Sequence, residues 1–233
     1  MRSRGVIGKY LLVVVLLVGI VIGVIWYSNL SPEKAQGVSK PIILYVNQGN
    51  GRVNVTNFGV MADFAVAHGF NTVFFQVFRL GVLLFDQQDL RTFVDQAHQR
   101  NLSIFFALSF NGSSFQIPPS IYEAGENGIS LDMSVVNPSS QNSLLASVKA
   151  VYGGETAVTV YPTDWSPALR PNLLVLETYS STLRSYIKPG IIGSVEVVGT
   201  SSQEDYQSQV QYALKNSDGV MVFDYAGLVK SDY

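Results

Sequence analysis

The sequence predicts an α/β chain that closes into a (β/α) barrel behind one N-terminal transmembrane helix. Three observations predict it. Val73, Phe74, Phe75, Val77 and Phe78 form a β-prone run broken only by Gln76. A strand apolar on both faces is buried on both faces, the habit of a parallel sheet covered by helices. Amphipathic segments flank this run at 57–68 and 85–100, so helix, buried strand and helix alternate as in βαβ units. Finally, no G-x-G-x-x-G spacing follows the first strand, where the chain reads Asn47-Gln48-Gly49-Asn50-Gly51. That absence favours a barrel over an open dinucleotide-binding sheet.

The membrane helix is read from residues 10–27, YLLVVVLLVGIVIGVIWY, which carry no charge. That is about the length needed to cross a hydrocarbon core of roughly 30 Å. Arg2, Arg4 and Lys9 precede it without an acid, which holds the N-terminus in the cytoplasm and places the rest outside. A cleaved signal peptide is the competing reading, but no small-x-small cleavage site follows Trp26-Tyr27. The expected organisation is a basic tail at 1–9, an anchor at 10–27, a polar linker at 28–40 and an extracytoplasmic barrel at 41–233. Sequons at Asn29, Asn54, Asn101 and Asn111 are candidate glycosylation sites on that face.

Composition narrows the function. With 15 basic and 17 acidic residues there is no electrostatic footprint for nucleic acid. The chain has no cysteine, which excludes disulfides and thiolate chemistry, and only two histidines, His68 and His98. No metal or cofactor is expected.

Strands are expected at 42–46, 72–78, 103–109, 156–161, 173–179, 192–198 and 220–225. Helices are expected at 57–68, 86–100, 139–152, 181–187 and 202–216. Pro138 ahead of Ser139 and Gly153-Gly154 after Tyr152 mark one start and stop. The segment 110–137 is too long for a simple link, and reads as irregular or functional. The Pro-rich link PTDWSPALRP after Tyr161 carries no helix signal. After Tyr225 only AGLVKSDY remains, so no eighth strand is expected. The barrel is then short, incomplete at about seven strands, or closed by the first strand against the last.

Barrel chemistry sits at the C-terminal ends of strands. Those ends offer Asp224, Glu177 and Glu196 as candidate catalytic acids. Gln76, Arg79, Tyr161, Asp164, Trp165, Tyr179 and Tyr225 are candidate substrate contacts. Paired carboxylates are what glycoside hydrolysis needs: one protonates the leaving oxygen while the other attacks or activates water. Aromatic residues hold a sugar ring by stacking. Each acid also has a structural reading, because an acid inside an apolar strand needs a partner, and Arg79, Arg170 or Arg184 could supply one. Strand parity leaves open whether Glu177 and Glu196 point inward. An active enzyme requires Asp224 to face one of them, at roughly 5–5.5 Å for retention or 6.5–9.5 Å for inversion.

Residues 67–77, AHGFNTVFFQV, followed by 93–102, FVDQAHQRNL, resemble the opening of bacterial and archaeal glycoside-hydrolase-like TIM barrels. The run 218–225, DGVMVFDY, is similar to the last strand of those barrels. In that family a fourth strand opens with Asp-Gly and ends in an acid; here its place is taken by 155–161, which ends in Tyr161. Together with the membrane run, the resemblance implies an anchored barrel that binds or hydrolyses surface polysaccharide. The alternative is a barrel without chemistry, serving as an extracytoplasmic subunit beside other membrane or surface-layer proteins.

Overall fold

The computed structural model describes residues 39–49, 53–110, 116–178 and 182–231. The predicted membrane run, its basic tail and most of the linker lie outside these residues, as do Asn29, Asn111 and Tyr179. Among the described residues, no helix is long and apolar enough to cross a membrane.

Among the described residues nine strands form one sheet: β1 (Ile42–Val46), β2 (Thr72–Arg79), β3 (Val82–Leu83), β4 (Ser103–Ser109), β5 (Gly128–Asp132), β6 (Glu155–Val160), β7 (Leu173–Leu176), β8 (Ile192–Glu196) and β9 (Gly219–Phe223). All but β3 run parallel, and β1 pairs with both β2 and β9, so eight strands close a ring. The short β3 folds back antiparallel on the end of β2. The expectation of about seven strands is therefore corrected: the eighth is β5, inside the segment read as irregular. This strand, and not 155–161, stands fourth in the ring; it opens with Asn127-Gly128 where the resemblance implies Asp-Gly. The fourth strand of the ring reads Asn127-Gly128-Ile129-Ser130-Leu131-Asp132 and ends in an acid. The remaining alternative, closure of the first strand on the last, is what the ring does.

Strand parity divides the interior in two. Ile43, Tyr45, Phe74, Phe105, Ala107, Ala157, Val175, Ile192 and Met221 pack together as the barrel's inner core. Their immediate neighbours, such as Leu44, Phe75, Ile104, Phe106, Val158, Leu176 and Val222, pack outward against the helix layer. Both sets are needed because a parallel strand is covered on both sides.

The helices are α1 (Phe58–Ala67), α2 (Gln87–His98), α3 (Pro119–Tyr122), α4 (Pro138–Val151), α5 (Leu183–Tyr186), α6 (Gln203–Asn216) and α7 (Tyr225–Ser231). In α2, Leu90, Phe93, Val94 and Ala97 recur at helical spacing and are all buried. Its start is set by Asp86, whose carboxylate accepts from the Asp89 amide at 2.8 Å. Asn137 and Ser202 cap α4 and α6 in the same way. The last strand ends at Phe223, two residues before the expected Tyr225, and Tyr225–Ser231 form the two-turn helix α7. The Pro-rich link between β6 and β7 has no helix, and α5 is a single turn, so the outer layer is thin beside β7.

Three asparagines stitch the N-terminal end of the barrel. Asn71, Asn127 and Asn172 each stand one residue before a strand. Each Oδ1 accepts a backbone N–H from the start of the preceding parallel strand: Ile42 at 2.9 Å, Ile104 at 2.8 Å and Thr156 at 3.0 Å. These bonds satisfy donors that the slanted parallel ladder leaves open at its ends. They also fix the register that carries the polar residues to the opposite mouth.

Candidate active site

Register places the site. Val175 and Ile192 belong to the inner core, so Glu177 and Glu196, two and four residues further on, share their inward face. Asp132 lies in register with Ser109 and Thr159, four residues beyond Gly128, whose neighbour in β4 is Phe105 of the inner core. All three acids therefore look into the mouth at the C-terminal ends of the strands. The parity question left by the sequence resolves inward for both glutamates.

Glu177, Glu196, Tyr161, Thr178, Ser194 and Phe223 line one hollow of about 100 Å³. It adjoins a second of about 310 Å³, which shares Tyr161 and Glu177 and adds Pro162, Thr163, Thr182 and Tyr186. Burial pushes the Glu177 carboxyl up to about 7; the charges of Asp132 and Glu196 push the same way, against a hydrogen bond from Tyr161. Tyr45, on the floor, is raised by its burial and by the charges of Asp132, Glu177 and Asp224. One electrostatic neighbourhood thus contains all four acids. Asp132 is held in place by Ser134, whose amide donates to Oδ1 at 3.1 Å and whose hydroxyl donates to the same oxygen.

The other predicted residues are spread more widely. Asp224 is buried at the end of β9, and its Oδ1 accepts from the Gly227 amide at 2.9 Å, inside the first turn of α7. It does not line the hollow that holds the two glutamates, so the carboxyl pair sharing one hollow is Glu177 with Glu196 and not the expected pair with Asp224. Gln76 faces inward, but its amide is used on both sides: Nε2 donates to Ser109 at 2.9 Å and Oε1 accepts from Gln48 at 3.0 Å. Arg79 sits on the rim, where it lines a separate hollow of about 590 Å³ with Gln48, Val53 and Phe85. Asp164 is part of a turn, its amide donating to Tyr161 and its carbonyl accepting from Gln141.

Trp165 lies in another hollow, with Pro171, Asn172 and Ile191 at the N-terminal ends of β7 and β8, and Lys188 stands 5.4 Å over its ring. Tyr225 opens α7 and packs edge-on to Phe64 at 5.3 Å, in the outer layer. Of the sequon asparagines, Asn54 is exposed but its Oδ1 accepts from the Thr56 amide. Asn101 is exposed with φ 58 at the end of α2. His98 reaches Asn127 at 2.9 Å, so it supports the stitch at β5.

Three contributors escaped the sequence: Asp132, Ser194 and Tyr186. Ser130 and Asp132 alternate with Ile129 and Leu131, a period-two signal that was present but only five residues long. Among the described residues, no group of three or more acidic, histidine or cysteine side chains is arranged to hold a metal ion.

The sequence matches no protein-family model and no curated protein. Solved structures do resemble it. A GH113 β-1,4-mannanase shares 9% identity at a TM-score of 0.51, over 80% of this chain and 88% of that one. The maltogenic α-amylase AmyB from Thermotoga neapolitana shares 11% identity at a TM-score of 0.51, over 81% and 69%. CpGH84B aligns at 9% identity and a TM-score of 0.47 over 78% of this chain, which spans 44% of that protein's length. At the level of fold, the described residues form a closed eight-stranded parallel TIM-type barrel like those of the mannanase and the amylase.

Proposed function

We propose that this chain is a membrane-anchored, extracytoplasmic glycoside hydrolase acting on a surface polysaccharide. One observation carries the reading: Glu177 opens onto a hollow at the mouth with its carboxyl pushed up to about 7, beside two further acids. A carboxyl that keeps its proton near neutrality is what a general acid requires. Glu177 gives that proton to the glycosidic oxygen as the bond to the anomeric carbon breaks. Glu196, in the same hollow, then attacks that carbon or takes a proton from the attacking water. Burial keeps Glu177 protonated, and the charge of Asp132, fixed by Ser134, adds to it. Asp224 caps α7 and adds its charge near Tyr45. Tyr161 and Tyr186 provide ring surfaces along the adjoining hollow.

The anchor is supported by the uncharged run at 10–27 and the basic residues before it. The accessory-subunit alternative draws on the β2–β3 hairpin, where Leu80 and Val82 are 56% and 60% exposed at the rim. Such apolar tips also suit a protein partner.

A single experiment addresses both parts. Intact cells carrying the full chain are given a panel of polysaccharides, and soluble oligosaccharide is measured before and after brief external protease. Release that protease abolishes is expected. Release confined to the cytosolic fraction would overturn the topology. No release from any glycan, together with stoichiometric recovery of a protein partner after gentle detergent extraction, would favour the subunit.

A further inference from the structure

We propose that the sugar held in the mouth is an amino sugar with a free ammonium group, bound by Glu196 and the hydroxyl of Ser194. The inference deepens the hydrolase reading and rests on the same site. Its first ground is charge. Glu177 and Glu196 line one hollow with the charge of Asp132 acting on Glu177, yet among the described residues the one ion pair is Arg100 with Asp63, out on the helix layer. Arg79, the nearest predicted clamp, lines a different hollow on the rim. Acids that converge without a cation are costly as anions, and a bound cation offsets that cost.

The second ground is independent of the acids. Ser194 is 3% exposed and lines the same hollow as both glutamates. Among the described residues its hydroxyl meets no hydrogen-bond partner, because Thr178 donates at 2.9 Å to the carbonyl of Ser194 and not to its side chain. A buried hydroxyl is ordinarily satisfied, so one turned into a hollow is a ready ligand contact.

The donor and acceptor balance selects the ligand. An ammonium group brings three donors and no acceptor, whereas ionised carboxylates only accept and a serine oxygen accepts as well. An N-acetyl group would bring a carbonyl oxygen, itself an acceptor, against those carboxylates. A uronic acid would add a further negative charge and is repelled. Charge-assisted bonds to carboxylates are the stronger kind, so the free amine is preferred over the hydroxyl of a neutral sugar.

The test is calorimetric titration of the full chain carrying Glu177→Gln, in detergent, so that binding is read without turnover. The probes are glucosamine and galactosamine tetramers, each against its fully N-acetylated counterpart. The amine forms are expected to bind about tenfold tighter or more. The preference should shrink at high salt and disappear when Glu196→Gln is added. Equal binding, preference for the acetylated forms, or no binding of either amine tetramer would overturn the inference. Failure of the hydrolase reading looks different: amine tetramers would bind, yet the wild type would cleave neither them nor any glycan. Cleavage of a neutral glycan with no amine preference would retain the hydrolase and discard the amino sugar.

Discussion

Glu177→Gln is expected to lower turnover of the polysaccharide by about 10²–10⁴-fold, the range over which a positioned general acid contributes. Glutamine has the same shape and keeps a donor, but cannot release a proton to the leaving oxygen. Loss of folding would give the same assay result, and stability separates the two. Glu177 titrates near 7 in the native protein against an ordinary 4.5. Between those values the native state holds a proton that the unfolded chain lacks, so stability falls as pH rises through that window. The penalty is absent below about 4.5 and complete above about 7, and amounts to roughly 3 kcal/mol. The glutamine variant carries no such penalty. At pH 8 it should unfold at higher denaturant than the wild type while remaining nearly inactive. An inactive variant that is also less stable at pH 8 would contradict this account.

The largest expected effect on stability comes from the outer layer. Phe75 is fully buried, its ring 5.1 Å from Phe58, 4.8 Å from Phe93 and 5.5 Å from Phe85. Two helices and the β3–α2 connection therefore meet β2 at one side chain. Phe75→Ala should cost about 3–5 kcal/mol, the transfer loss plus the cavity left behind. Domains are typically stable by only about 5–15 kcal/mol, so the variant stands near the edge of folding. Urea denaturation measures it, with Phe75→Leu as the milder control. A loss under about 1 kcal/mol would mean that the aromatic cluster relaxes to fill the space.

The sequence made β2 legible because a strand buried on both faces writes an unbroken apolar run. It made α2 legible through Asp86 and the spacing of Leu90, Phe93, Val94 and Ala97. Glu177 and Glu196 were legible as acids in apolar strands, and their inward direction follows once the neighbouring registers are known. Asp132 was hidden for a physical reason. At the mouth, inward positions turn polar, so Ser130 and Asp132 dilute β5, and Gly128 opens it against the ring of Phe105. A glycine, a serine and an acid among two apolar residues read as a loop.

Gln76 was legible as an inward polar group, but the sequence could not reveal that Ser109 and Gln48 occupy both ends of its amide. Trp165 was misleading for a similar reason. It stands close in sequence to Tyr161, yet the Pro-rich link carries it to the other end of β7. Short helices such as α7 have too few turns to show a period, which is why the residues after Tyr225 carried no predicted element.

The central claim is that Glu177 is the acid and that burial, reinforced by the charges of its neighbours, keeps it protonated. The most direct test is the pH dependence of kcat/KM for the full-length protein, measured for the wild type and for Asp132→Asn. The wild type should lose activity above about pH 7 as Glu177 gives up its proton. Asp132→Asn removes one of the charges that hold the proton there, so its basic limb should move to lower pH. A profile that stays flat through pH 7, or a limb that Asp132→Asn leaves in place, would contradict the account.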